Sequence, residues 1–402
     1  MRKFILFILV ISAVSACQKK KTAEYTPWGE ALSDSIREEE KGEGFSLSDI
    51  QANGELIILT MNGPDTYYEY RGRGFGTQYL LCEKFAERIG VKVRVDVCKD
   101  TMEMVDKLIS GDADVIAFPL NKTKTKSKQV AFCGPKVDSV GVQWAVKKGN
   151  TSLADTLNRW FKPEMIAQVK KEEDFMLSTK SVTRKIYSPM LNKAGGIISH
   201  YDEYFVKAAA VVRWDWRLIA AQCYQESCFD PQAKSWAGAC GLMQIMPSTA
   251  DRIGLRREDL FSAEKNIAAA AKYLSMLQGQ FKDVRDTRER TNFVLASYNA
   301  GPNHIRDAMA LTEKYGGNKY RWSDVKQYVL NLMKPEFYND PVVKYGYMRG
   351  TETAGYVDNI YARWQGYKGT ARARSISAPS FNGGTTDFRT PHKAKKKNRF
   401  SL

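Results

Sequence analysis

Glu226 ends an apolar run, Leu218-Ile219-Ala220-Ala221, shortly before a turn signalled by Asp230-Pro231. A carboxyl group there meets two influences of the same sign. Apolar surroundings and the C-terminal end of a helix dipole both disfavour its charge. A glutamic acid that stays protonated near neutrality is what cleavage of a glycosidic bond needs at the leaving oxygen. Taken alone, a surface glutamate at a helix end is the commoner case. The residues that follow shift the balance. Ala237, Gly238, Ala239 and Gly241 are small enough to let backbone approach a substrate. Met243 and Gln244 come next, and Pro247-Ser248 can open another helix. The Gln244 amide offers both a donor and an acceptor, which suits hydroxyl and acetamido groups. Asp230 is more simply a turn or cap residue than a second catalytic acid.

Four runs occur in order: Glu226-Ser227, then Gly241-Leu242-Met243-Gln244, then Ala296-Ser297-Tyr298-Asn299-Ala300-Gly301, then Glu352-Thr353 with Tyr356-Val357. On these, residues 199–367 resemble the catalytic domain of the soluble lytic transglycosylases, a lysozyme-like superfamily. An ordered, multi-part motif is far more specific than any one short pattern. The resemblance implies an all-α lysozyme-like fold. It implies that Glu226 protonates the oxygen between N-acetylmuramic acid and N-acetylglucosamine, then acts as base on the C6 hydroxyl of the muramic acid. The product is a 1,6-anhydro end, formed without net addition of water. Ser227, Gln244, Tyr298 and Asn299 would line the cleft and Met243 would pack beneath a sugar. Glu352 and Tyr356 would complete the wall near Glu226. No cofactor or metal is implied, and the three histidines have no partner at ligand spacing. Most glycosidases use two carboxylates. The motif supplies one, which fits a route assisted by the substrate's acetamido group. Two other readings stand beside it: a hydrolytic muramidase on the same fold, with Glu352 as second carboxylate, and a non-catalytic peptidoglycan-binding lipoprotein.

The elements that must position these residues fall into two kinds. From Ser199 onward apolar residues recur near 3.6 spacing, as in Ile267, Ala270, Ala271, Leu274 and Leu277, so the second domain is read as all or mostly α. Residues 55–161 instead alternate strand-like and helix-like runs, with strands over 56–60, 91–95, 113–117 and 140–146, which argues for an α/β sheet. Gly111-Asp112-Ala113-Asp114 and Trp144-Ala145-Val146-Lys147-Lys148-Gly149 make this half similar to the solute-binding proteins of amino-acid transport. About thirty residues separate those two runs, where the full family has a second lobe, so a single-lobe domain is expected. The fold class is therefore multidomain α/β + α. The expected divisions are 1–17 leader, 18–50 tether, 51–161 single-lobe α/β domain, 162–198 connector, 199–368 catalytic domain and 369–402 tail.

Composition sets the compartment. Arg2 and Lys3 precede an apolar run, Phe4 to Val14, too short to span a bilayer and shaped like a secretory signal. It ends at Val14-Ser15-Ala16-Cys17, which resembles the bacterial lipobox. A lipidated Cys17 would anchor the protein to a membrane. The expected site is the periplasmic face of the outer membrane, with the inner membrane as the alternative. With those features the whole chain resembles the membrane-bound lytic murein transglycosylases. The formal charge of +16 calls for anionic partners. Export directs that charge to envelope polymer and away from nucleic acid. The tail holds eight basic residues against Asp387 and is expected to be disordered. Peptidoglycan strands are the expected partner, and a monomer the expected state. Cys228 and Cys240 bracket a short loop and are the best candidate disulfide among the six cysteines after Cys17. Cys82 shares a helical face with Phe85, Ala86 and Ile89 and reads as core.

Overall fold

The computed structural model describes residues 45–125, 128–136 and 142–370. The leader with Cys17, most of the tether and residues 371–402 of the basic tail lie outside the described residues. The chain forms two compact units. The first takes the residues up to Ser178 together with Asp307–Gly317 and Gln327–Gly350, and the second takes Thr179–Arg306, Asn318–Lys326 and the residues from Thr351 on.

The first unit is built on a five-stranded sheet of β1 (Glu55–Thr60), β4 (Lys92–Val97), β5 (Val115–Asn121), β6 (Val130–Lys136) and β7 (Val142–Lys147), in the order β4-β1-β5-β7-β6. A hairpin of β2 (Tyr68–Tyr70) and β3 (Arg73–Phe75) stands apart from it. β1 runs parallel to β4 and β5, while β7 is antiparallel to both β5 and β6. The period of two sorts each strand between two cores. Leu56 and Ile58 face Leu81, Phe85 and Trp144, and Leu59 with Ile116 faces Met104 and Leu108. Helix Thr77–Ile89 supplies Leu81 and Phe85, β7 supplies Trp144, and helix Thr101–Ser110 supplies Met104 and Leu108. Burial on both faces explains why β1 reads as an unbroken apolar run. Cys82 sits in the first core, fully buried.

Two features of this unit differ from the sequence reading. Strand β6 was not anticipated, because Gly134-Pro135-Lys136 interrupts its apolar pattern. Its pairing with β7 supplies the ladder instead, with a register shift between Cys133 and Lys136. The unit also continues past residue 161. Helix Glu164–Leu177 buries Val169 in the core and caps another helix with Glu173, whose Oε1 accepts from Gly76 N at 3.0 Å and from the Tyr68 hydroxyl at 3.2 Å. The stretch 327–350 belongs here as well. Tyr347 meets Tyr68 edge to face at 5.0 Å, and a Cβ on Gly346 would come within 2.5 Å of Asn62. The missing side chain at Gly346 is what allows that approach.

The second unit contains helices Asp202–Val212, Trp216–Ser227, Pro247–Ile253, Ala263–Gln280 and Thr287–Ala300. The residues from Thr351 of helix Gly350–Thr370 belong to it too. Among its described residues the strands are one short pair, β8 (Val182–Thr183) with β9 (Lys234–Ser235). The helix starts follow the local chemistry. Asp215 accepts from Arg217 N at 3.0 Å, Asp286 accepts from the backbone of Arg288 and Glu289, and Pro247 occupies the first turn of its helix.

One buried carboxyl group gives the first unit a pH signature. Asp114 accepts from Ile57 N at 2.8 Å and is 6% exposed. Burial pushes its carboxyl up to about 6, against the opposing pull of that hydrogen bond and of Arg94. A raised acid binds its proton more tightly folded than unfolded, so its contribution is largest in acid and is lost as pH rises from about 4 to 6. Asp114→Asn should therefore remove that slope and be more stable than wild type at pH 7 by about 1–2 kcal/mol, part of the gain being offset by a weaker bond to Ile57. Denaturant unfolding at pH 4 and pH 7 checks this. A variant less stable at pH 7 than at pH 4, relative to wild type, contradicts it.

Candidate active site

Helix Trp216–Ser227 ends where two successive residues, Cys228 and Phe229, take left-handed backbone with φ 53° and 63°. Glu226 lies in its last turn and is 6% exposed. From the neighbouring extended segment, Arg184 Nη1 donates to the Glu226 carbonyl at 2.9 Å, and so satisfies one of the helix's terminal acceptors. Asp230 serves the turn, as its Oδ2 accepts from Lys185 N at 2.6 Å and its Oδ1 from Gln232 N at 3.0 Å.

Glu226 is met by a tyrosine. The Tyr356 hydroxyl donates to Glu226 Oε1 at 2.5 Å, and Gln222 Nε2 donates to the Tyr356 oxygen at 3.2 Å. Gln222 lies one helical turn before Glu226, so both point to the same side of their helix. Burial first, and the adjacent Glu226 carboxyl second, hold the Tyr356 phenol well above its ordinary value. Tyr356 is therefore a fixed proton donor across the working range. Glu352 stands one turn earlier on the same helix and is half-buried.

The loop after Glu226 is tied to helix Ala263–Gln280 by Asn266, which is fully buried. Its Nδ2 donates to the carbonyls of Cys240 (3.1 Å) and Leu260 (2.8 Å), and its Oδ1 accepts from Met243 N at 2.8 Å. Gly241 permits this approach. It has φ +78°, and a Cβ there would lie 2.4 Å from Leu260 O and 2.5 Å from Asn266 Nδ2. Gln244 also takes left-handed backbone, with φ 47°, and donates through Nε2 to Gly241 O at 2.9 Å and Ala233 O at 3.1 Å. Tyr298 is half-buried and donates to Met243 O at 2.8 Å. Asn299 Oδ1 accepts from Thr353 Oγ1 at 2.8 Å, which ties the Tyr298-Asn299 run to the turn carrying Glu352.

The sequence-derived residues thus gather in one unit in two shells. Tyr356 bonds Glu226 and has Tyr298 beside it, and Glu352 lies one turn before Tyr356. Ser227 and Met243 do not line a cleft, because both are fully buried. The Ser227 hydroxyl turns back to Cys223 O at 3.2 Å, and Met243 is used through its backbone. The expected disulfide is corrected too. Cys228 and Cys240 are free thiols, as are the other four described cysteines. Cys228 is committed to the helix end, and the Cys240 thiol is turned to Gly238 O at 3.2 Å. Gln222, Arg184 and Asn266 were not singled out from sequence, and Thr353 entered only as part of the Glu352-Thr353 run, with no role. Gln222 and Asn266 did leave a signal, since each is a polar residue in an otherwise apolar helical stripe.

Several known proteins are similar to this chain. Residues 203–321 match the family Transglycosylase SLT domain. Membrane-bound lytic murein transglycosylase F of Desulfosudis oleivorans is 26% identical, over 78% of this chain and 90% of that protein. The protein of the same name from Enterobacter sp. is 28% identical, over 78% and 79%. Among solved structures, the 70 kDa soluble lytic transglycosylase of Escherichia coli is 25% identical over 42% of this chain and 24% of its own, with a TM-score of 0.29. The arginine-bound domain 1 of TmArgBP is 23% identical over 30% of this chain and 96% of its own, with a TM-score of 0.25. The chain is thus similar, over most of its length, to the transglycosylase F proteins.

Two glycines of the site loop separate packing from backbone strain. Gly241→Ala should cost about 2–4 kcal/mol, because both its φ and its neighbours forbid a Cβ. Gly238 has φ +91° but its Cβ would meet Pro247 only at 3.9 Å, so Gly238→Ala should cost about 1 kcal/mol. Equal losses in thermal unfolding would mean that the Asn266 contact does not hold the loop.

Proposed function

We propose that this protein, a lytic transglycosylase of peptidoglycan, cleaves the bond between N-acetylmuramic acid and N-acetylglucosamine with Glu226 as the general acid and then the general base. In the first step Glu226 gives its proton to the leaving glycosidic oxygen. In the second, the resulting carboxylate takes the proton of the muramic C6 hydroxyl as that oxygen closes on C1. The anhydro end forms and Glu226 regains its proton, so no water is consumed. The observation that carries this reading is the partner of Glu226. A tyrosine hydroxyl occupies one carboxyl oxygen, 2.5 Å away. That donor steadies the ionised form Glu226 takes between the two steps. Tyr298 and Glu352, the half-buried members of the set, are the residues we assign to contact the sugar; Gln244 and Asn299 hold the loop and helix that carry the wall.

The leader supports a lipidated Cys17 anchoring the enzyme at the periplasmic face of the outer membrane, and the names of its relatives, which are membrane-bound, agree with membrane association. Glu352 is what a hydrolytic reading would use as its second carboxylate, and the same experiment tests both. Glu226→Gln should lower the rate of glycan release from purified peptidoglycan by about 10²–10⁴-fold. Glu352→Gln should lower it far less. Full activity in Glu226→Gln removes the assignment, and equal, large losses in both variants favour the two-carboxylate hydrolase.

A further inference from the structure

Gln222 takes no part in the motifs that carry the resemblance, yet it is fully buried one turn from Glu226. Its amide makes one hydrogen bond, from Nε2 to the Tyr356 oxygen, and its Oε1 is buried with no partner. An unpaired buried amide oxygen is costly, so the orientation needs a reason. Turning the amide over would not remove the cost, because it would leave Nε2 unpaired instead. It would also aim Oε1 at the Tyr356 hydroxyl. Tyrosine has one proton to give. If Tyr356 gave it to Gln222, none would remain for Glu226. The observed direction runs from Gln222 N–H to the Tyr356 oxygen and from Tyr356 O–H to Glu226 Oε1.

We propose that Gln222 is a positioning residue that fixes the direction of the Tyr356 hydroxyl, committing its proton to Glu226 Oε1 and leaving Oε2 as the oxygen that carries the proton in the reaction. The inference rests on Glu226 being the acid/base. Donation into the phenol oxygen polarises the O–H and strengthens its bond to the carboxylate. A hydrogen bond made to the charged form favours that form. Gln222 therefore acts on Glu226 at a distance, through one hydroxyl. The other titratable groups around this pair are Arg184 on the Glu226 carbonyl, Cys223 one turn back on the same helix, Tyr298 beside Tyr356, and Glu352 one turn before Tyr356.

The test uses the full chain and two readouts. Glu226 must be protonated to start the reaction, so activity falls as pH rises through its ionisation. Gln222→Met keeps the bulk and removes the donor. It should move that alkaline limb to higher pH by about half to one unit, roughly a three- to tenfold gain in relative rate on the limb. Tyr356→Phe should move it at least as far, and adding Gln222→Met to Tyr356→Phe should move it no further. A merely structural role would lower the rate at every pH with the limb in place, or would add its full effect in the Tyr356→Phe background; either result overturns the proposal. The second readout needs no substitution at Gln222. In the wild-type protein the side-chain amide signal of Gln222, followed by NMR, should titrate with the Glu226 carboxyl, and that dependence should vanish in Tyr356→Phe. An amide that does not titrate in the wild type, or still titrates in Tyr356→Phe, contradicts the relay. Because this readout involves no turnover, it stands even if Glu226→Gln proves active and the assignment of the acid/base fails.

Discussion

The Glu226 carboxyl group is withdrawn from water at the end of a helix and is met there by the Tyr356 hydroxyl at 2.5 Å. Much of the second unit serves that one bond. A buried carboxyl group that must exist both with and without its proton needs a neighbour that suits both states without moving. A second carboxylate would oppose the charged state, and a lysine or arginine would oppose the neutral one. A tyrosine kept protonated by burial favours the ionised state through its hydrogen bond, but it lends a dipole and no net charge, so it opposes the neutral state far less than a cation would. Helix Gly350–Thr370 brings Tyr356 to the site, and the Asn299–Thr353 bond sets how that helix meets the run ending at Gly301.

The loop after Glu226 shows the same economy of parts. Asn266 bonds three backbone groups from a fully buried position, and that contact depends on Gly241 having no Cβ. Gln244 closes the loop on itself through its amide. Several residues of the Gly-Leu-Met-Gln run are thus spent on shape. Met243 is buried and offers its N–H to Asn266 and its carbonyl to Tyr298, so a run with the look of a binding motif acts here as a brace.

The sequence made the alternation of the first unit and the helical character of the second readable, because both rest on periodicity. It also brought Glu226, Tyr298, Asn299, Glu352 and Tyr356 together, through the order of the motifs. What it could not convey was which of two ends of a residue is used. Ser227 and Met243 read as cleft residues by type, while their hydroxyl and backbone are turned inward. Strand β6 was hidden because pairing with β7 outweighs a Gly-Pro-Lys sequence that argues against a strand. The assignment of residues 327–350 to the first unit was hidden as well. It depends on close approach at Gly346 and on the Tyr68–Tyr347 contact, which join residues far apart in sequence. Cys228 and Cys240 were near enough in sequence to suggest a bond, but the geometry at each commits it elsewhere.

The central claim is that Glu226 passes one proton out and takes one back, with no water entering. Digestion of purified peptidoglycan in ¹⁸O-labelled water, followed by mass spectrometry of the released fragments, tests it most directly. The account predicts 1,6-anhydro muramic ends that carry no ¹⁸O. Reducing muramic ends labelled with ¹⁸O would contradict it.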